Sequence, residues 1–123
     1  MHALIIEDEF MIATLIKLVL QDCGFESFDI ASSHDSAIAA ADRRRPDLIT
    51  ADVMLSPGSG LDAVNAICLT LAVPVIFISA RAPQIRASIA DHAVLDKPFS
   101  EQTLGYLVAA SLAARRPPDR LLA

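Results

Sequence analysis

The chain has no tryptophan, one tyrosine and five phenylalanines among 123 residues, so aromatic packing cannot dominate its interior. Ala, Leu, Ile and Val must build the core instead, which suits a single α/β or all-α domain. Basic charge is also scarce: ten Lys and Arg against fifteen Asp and Glu leave a formal net charge of -5. That balance argues against general affinity for nucleic acid or anionic lipid and leaves proteins as the expected partners. The two cysteines, Cys23 and Cys68, are far apart and lack metal-ligand spacing, so both are expected to be small buried hydrophobes in a reduced compartment. No run reaches the roughly 18 uninterrupted apolar residues of a membrane span, since Lys17 divides the longest candidate. Met1 and His2 lead straight into a strand-like run rather than a signal peptide, and the expected location is cytoplasmic. His2, His34 and His92 share no ligand spacing.

What is abundant is hydrophobic residue, 54% of the chain, arranged in alternating short runs and helical stripes. Residues 3–6, "ALII", form an unbroken apolar run, as a central strand covered on both faces requires. A helix follows with Ile12, Leu15, Ile16 and Val19 on one face, and Gly24 is placed to end it in a left-handed conformation. Residues 25–31, "FESFDIA", give a more polar second strand suited to an edge. Ser33 is the expected cap of a helix over 34–44, with Arg43, Arg44 and Arg45 in its last turn beside the negative end of the dipole. "DLITA" (47–51) is a third strand, followed by a loop containing Pro57, Gly58 and Gly60, then a helix facing Leu61, Val64, Ile67, Cys68 and Leu71 inward. "PVIFIS" (74–79) and "AVLD" (93–96) complete five strands, with a short helix from Pro83 to about Ala90 between them. The last helix starts near Ser100 and carries Leu104, Leu107, Val108 and Leu112; residues 1–114 form one domain and 115–123 a flexible tail. Right-handed crossovers then predict an α/β, doubly wound five-stranded parallel sheet, flavodoxin-like, in the order 2-1-3-4-5.

Ligands of such sheets bind at the carboxyl ends of the strands, near the switch point between strands 1 and 3. There the chain places Glu7 and Asp8 after strand 1, Asp52 after strand 3, Ser79 after strand 4 and Lys97 after strand 5. Two carboxylates about 4 Å apart repel by roughly 1–4 kcal/mol in water-like to surface-like surroundings, so three of them call for a cation. Hard oxygen ligands at a partly hydrated site suit Mg2+. A lysine and a hydroxyl opposite a metal-neutralised aspartate suit a dianionic phosphoryl group arriving on that aspartate.

This ordered set resembles the receiver domain of two-component response regulators over residues 1 to about 114. The matching pieces are Glu7-Asp8, Asp52 with Gly60 eight residues on, Ser79-Ala80, and Lys97-Pro98-Phe99. The resemblance implies Asp52 as phosphoacceptor, Asp8 and Asp52 as direct Mg2+ ligands, Glu7 acting mainly through water, and the Met54 carbonyl as the remaining protein ligand. It implies that Lys97 holds a phosphoryl oxygen and that Ser79 is the switch hydroxyl. Partners would be a histidine kinase or histidine phosphotransfer protein and a downstream protein, without membrane or nucleic acid. The chain departs from the family pattern at Val94, where receivers usually carry Tyr or Phe, and its loop proline stands one place late. The expected switch therefore uses the loop after Ser79 and the short helix 84–90. With "TADVMLSPGSGLDAV", the chain is also similar to receivers of the alphaproteobacterial general stress response.

A haloacid-dehalogenase-type phosphatase would need a second Asp two residues after Asp52, where Met54 stands. An FMN carrier would be repelled by "EDEF" where its phosphate must sit. A degenerate receiver that only binds protein remains the alternative. The expectation is a stand-alone receiver in a phosphorelay and stress response, not an enzyme beyond self-phosphorylation and dephosphorylation chemistry.

Overall fold

Four largely apolar runs and one mixed run become five strands: β1 (His2–Ile6), β2 (Ser27–Ala31), β3 (Leu48–Asp52), β4 (Val75–Ser79) and β5 (Ala93–Asp96). The structure, a computed structural model, describes residues 1–55, 59–80 and 93–114. The expected loop residues Pro57 and Gly58, the helix 83–90, His92 and the tail 115–123 lie outside the described residues. Four helices are described: α1 (Phe10–Asp22), α2 (His34–Arg43), α3 (Gly60–Cys68) and α4 (Glu101–Ala114). The strands pair in parallel in the order β2-β1-β3-β4-β5, which is the order read from the sequence.

Successive strand residues point to opposite faces, so an unbroken apolar run feeds two cores at once. On one face Leu4, Ile6, Ile49, Ala51 and Phe77 pack against Ala37, Ala40 and Ala41 of α2 and Ala63, Val64 and Ile67 of α3. On the other, Ala3, Ile5, Leu48, Ile76 and Ile78 meet Ile16 and Leu20 of α1 and Leu104 and Val108 of α4. Each fully buried Leu, Ile or Phe contributes about 1.5–3 kcal/mol, so these two layers, rather than any polar contact, hold the sheet. The two edge strands are the less covered ones: β2 has Ile30 exposed and Ser27, Phe28 and Asp29 half-buried, and β5 has Asp96 exposed and Ala93 and Val94 half-buried.

Local signals account for most element ends. Gly24 takes φ 101°, closing α1 in the left-handed region where a side chain is strained. Ser33 accepts the Ser36 amide while Ser36 reaches back to the Ser33 amide, a reciprocal cap on α2. The arginine run is less uniform than expected. Only Arg43 lies in the last turn of α2; Arg44 is the C-cap, and Arg45 donates to the Ala72 carbonyl at 3.2 Å. Helix α3 ends before Leu71, which nonetheless packs on the core. The two thiols are half-buried rather than buried, and both are pushed up chiefly by burial, Cys23 also by Asp22.

At the amino ends of the strands His2 is buried, its ring bonded to Ser27 Oγ at 2.8 Å and Asp29 Oδ2 at 3.0 Å, while its amide donates to Asp47 Oδ2 at 2.7 Å. Gly105 sits inside α4, where a Cβ would meet only Val19 Cγ1 at 4.0 Å, an ordinary contact. Glycine in a helix interior costs about 0.5–1 kcal/mol relative to alanine. Gly105→Ala is therefore expected to raise stability by about that amount, measured as a higher urea midpoint with unchanged m-value.

Candidate functional site

Strand register builds the site. Ile6 pairs with Ala51, so the next residues, Glu7 and Asp52, stand side by side where β1 and β3 run out. Asp52 pairs with Ile78, and Ser79 pairs with Asp96, so β4 and β5 end one step further along. The Lys97 amide then donates to the Ser79 carbonyl at 3.0 Å, extending that ladder and delivering the lysine side chain toward the acids.

Lys97 Nζ donates to Asp52 Oδ2 at 3.0 Å and to Glu7 Oε1 at 3.4 Å. The second oxygen of each carboxylate is held by backbone: Glu7 Oε2 accepts the Glu9 amide at 3.1 Å, and Asp52 Oδ1 accepts the Met54 amide at 3.0 Å. Glu7 and Asp52 are buried, whereas Asp8 is exposed at the mouth. One oxygen from each of Glu7, Asp8 and Asp52 falls within 4.8 Å of the others. Ser79 is buried at the end of β4, next to the strand that carries Asp52. The Met54 side chain is exposed, and Phe10 and Met11, the first residues of α1, are exposed as well.

The electrostatics are unbalanced. Among the described residues three carboxylates cluster beside one ammonium, and Glu7 is the one that yields. Its carboxyl is pushed up to about 7, chiefly by burial and further by the charge and hydrogen bond of Asp52, against the lowering effects of the Glu9 amide and Lys97. Burial, the largest influence on Lys97, works against its charge. It is outweighed by the Asp52 hydrogen bond and the charges of Glu7 and Asp52, so the lysine is held above its ordinary value and stays charged.

The donor set fits a hard divalent cation. Carboxylate oxygens are the ligands Mg2+ takes, and the exposure of Asp8 leaves room for the waters this ion retains. No ligand softer than oxygen is present among the three grouped residues.

The sequence did not show that Glu7 would share Lys97 with Asp52, because strand-end reading assigned each group to an incoming ligand rather than to one another. Nor did it show how closely α3 begins against the end of β3. A Cβ built on Gly60 would collide with the Asp52 carbonyl oxygen and come within 2.8 Å of its carbon. Gly60 at this spacing was visible, but its reason, backbone touching backbone, was not.

With acids, lysine and hydroxyl at the ends of β1, β3, β5 and β4 in this fold, the match of the response regulator receiver domain family to residues 3–109 is decisive. The chain belongs to that family. This receiver is 44% identical over 79 residues to the phyllosphere-induced regulator PhyR of Methylorubrum extorquens, an alignment covering 63% of this chain and 30% of that protein. Its fold superimposes on the receiver domain of PhyR from Erythrobacter litoralis with a TM-score of 0.86 at 30% identity, covering 95% and 93% of the two chains. It also superimposes on the anti-anti-sigma factor PhyR of Bartonella quintana with a TM-score of 0.85 at 29% identity, over 99% of this chain and 51% of that one. The receiver thus spans about a third of one relative and about half of the other. It belongs to a signalling family rather than to one of conventional enzymes. No helix among the described residues is long and apolar enough to cross a membrane.

Proposed function

We propose that this receiver accepts a phosphoryl group on Asp52 from a histidine kinase or a histidine phosphotransfer protein, with Mg2+, and thereby changes its protein-binding surface. The observation that carries the reading is the convergence of Asp52 with two further carboxylates under one lysine: oxygens within 4.8 Å, and an ammonium 3.0 Å from Asp52. That pairing gives a nucleophile, a cation site and a counter-charge for the arriving phosphate in one place.

Asp52 is pre-oriented for attack, with the Met54 amide on one oxygen and Lys97 on the other. Its carboxylate oxygen forms the new bond to phosphorus as the phosphorus–nitrogen bond of the donor's phosphohistidine breaks, and the electron pair leaves with the imidazole nitrogen. Lys97 then follows the negative charge from the carboxylate to a phosphoryl oxygen, and the Ser79 hydroxyl meets another. Asp8, Asp52, Glu7 and the Met54 carbonyl are the groups that would hold Mg2+, which when bound neutralises the carboxylates and the phosphoryl oxygens. Val94, half-buried on β5, packs against the core and fills the place usually given to an aromatic, so the conformational response passes through the segment after Ser79.

The likeness to PhyR, described in Bartonella quintana as an anti-anti-sigma factor and in another solved structure as a stress response regulator, supports a place in stress signalling with a downstream protein partner. Transfer profiling tests the reading. Incubated with Mg2+ and labelled histidine kinases, the protein is expected to take label from a cognate donor within seconds to minutes and to fail in chelator. Failure with every donor, beside a receiver that accepts label in the same assay, would favour a domain that works by protein binding alone.

A further inference from the structure

The loop leaving Asp52 returns to it. Met54 and Ser59 form an isolated antiparallel bridge, and the Gly60 amide donates to the Val53 carbonyl at 3.1 Å. The Ser59 hydroxyl donates to the same carbonyl at 3.3 Å. That hydroxyl also caps α3, accepting the Leu61 amide at 3.1 Å and the Asp62 amide at 3.4 Å. One donor and two acceptors are all a serine hydroxyl has, and all three are used.

The Val53 carbonyl belongs to the peptide unit whose N–H is that of Met54, and that N–H donates to Asp52 Oδ1 at 3.0 Å. This peptide is trans, so its two polar groups point in opposite directions from one rigid plane. Whatever fixes the carbonyl aims the N–H. The absence of a side chain at Gly60 lets α3 begin close enough for the grip to form.

We infer that Ser59 is a positioning residue for Asp52: through the Val53–Met54 peptide it sets the orientation of the carboxylate that takes the phosphoryl group. The inference rests on the phosphoacceptor reading of Asp52 for its consequence, but not for its geometry. Serine is suited because it donates as well as caps. Threonine keeps both abilities, glycine keeps a tolerable helix start without the hydroxyl, and aspartate caps but has no proton to give the carbonyl.

The test compares the wild-type 123-residue chain with Ser59→Gly, Ser59→Thr and Ser59→Asp. The Met54 amide resonance reports the relay directly. The initial rate of labelling by phosphoramidate at saturating donor and Mg2+ reports its effect on chemistry, and thermal unfolding reports the fold. Loss of one neutral hydrogen bond corresponds to about a three- to tenfold change, so Ser59→Gly is expected to slow saturating labelling by about that factor and shift the Met54 amide upfield. Ser59→Thr is expected to restore both. Ser59→Asp, which keeps the cap, should behave like the glycine variant and serves where that variant unfolds. An unmoved Met54 resonance in both variants lacking the donor, or a threonine variant indistinguishable from glycine, overturns the inference. A wild type that takes no label would overturn the phosphoacceptor reading instead, while the resonance still decides the relay.

Discussion

Asp52→Asn is expected to abolish phosphoryl labelling while leaving the fold intact. The amide keeps the shape of the carboxylate and an oxygen for Lys97 or the Met54 amide, both of which now bind Asp52 at 3.0 Å. It removes the anionic oxygen that would attack phosphorus, and no acid among the described residues is placed to replace it: Glu7 is buried with both oxygens held by protein donors, and Asp8 lies exposed at the mouth. A loss of at least a hundredfold is expected, at the scale of removing a nucleophile rather than a supporting group. Labelling by a phosphodonor followed by peptide mapping measures it, with thermal unfolding as the control for fold. Undiminished label on another residue would sink the assignment.

Glu7→Gln is expected to flatten the dependence of stability on pH in metal-free protein. The ordinary carboxyl value is 4.5, and in the folded chain Glu7 is raised to about 7, chiefly by burial. Between those values the folded protein keeps a proton that the unfolded chain has released. Folding is therefore favoured at the low end of the window and loses ground as pH rises toward 7; above it the full penalty is present. At 1.36 kcal/mol per pH unit, the window corresponds to about 3 kcal/mol. Glutamine has no proton to lose, so this slope disappears from the variant. Its net gain above pH 7 is smaller than that ceiling, because one amide oxygen cannot serve both Lys97 and the Glu9 amide as the two carboxylate oxygens do. Mg2+ should reverse the ranking by stabilising the wild type more than the variant. Urea unfolding in chelator from pH 4.5 to 8 measures the slope, and an unchanged slope in the variant would remove Glu7 as its source.

The order of strands was legible because apolar runs, polar edge and glycine stop are each local. "ALII" is the run expected of a strand buried on both sides, and the mixed character of "SFDIA" suits the margin. The acids and the lysine were legible as chemistry because each ends an apolar run, where a charge has no packing reason to stand. What the sequence hid is contact between distant segments. Nothing in "SG" at 59–60 announces that its hydroxyl and amide will converge on the Val53 carbonyl, since that depends on where a loop closes. The arginine triplet misled for the opposite reason: a helix-end rule suited all three, but α2 ends at Arg43 and the later two answer to the chain's exit path.

The buried imidazole at the far end of β1 has a consequence for the acids. A strand whose middle is apolar on both faces could slide by one residue and still bury every aliphatic group, so greasiness alone does not fix its alignment. A slide would turn His2 away from Ser27 and Asp29 and strand a polar ring inside the opposite layer. The histidine thus acts as an alignment pin, and the charged pair at the other tip inherits its address from a residue that never touches it.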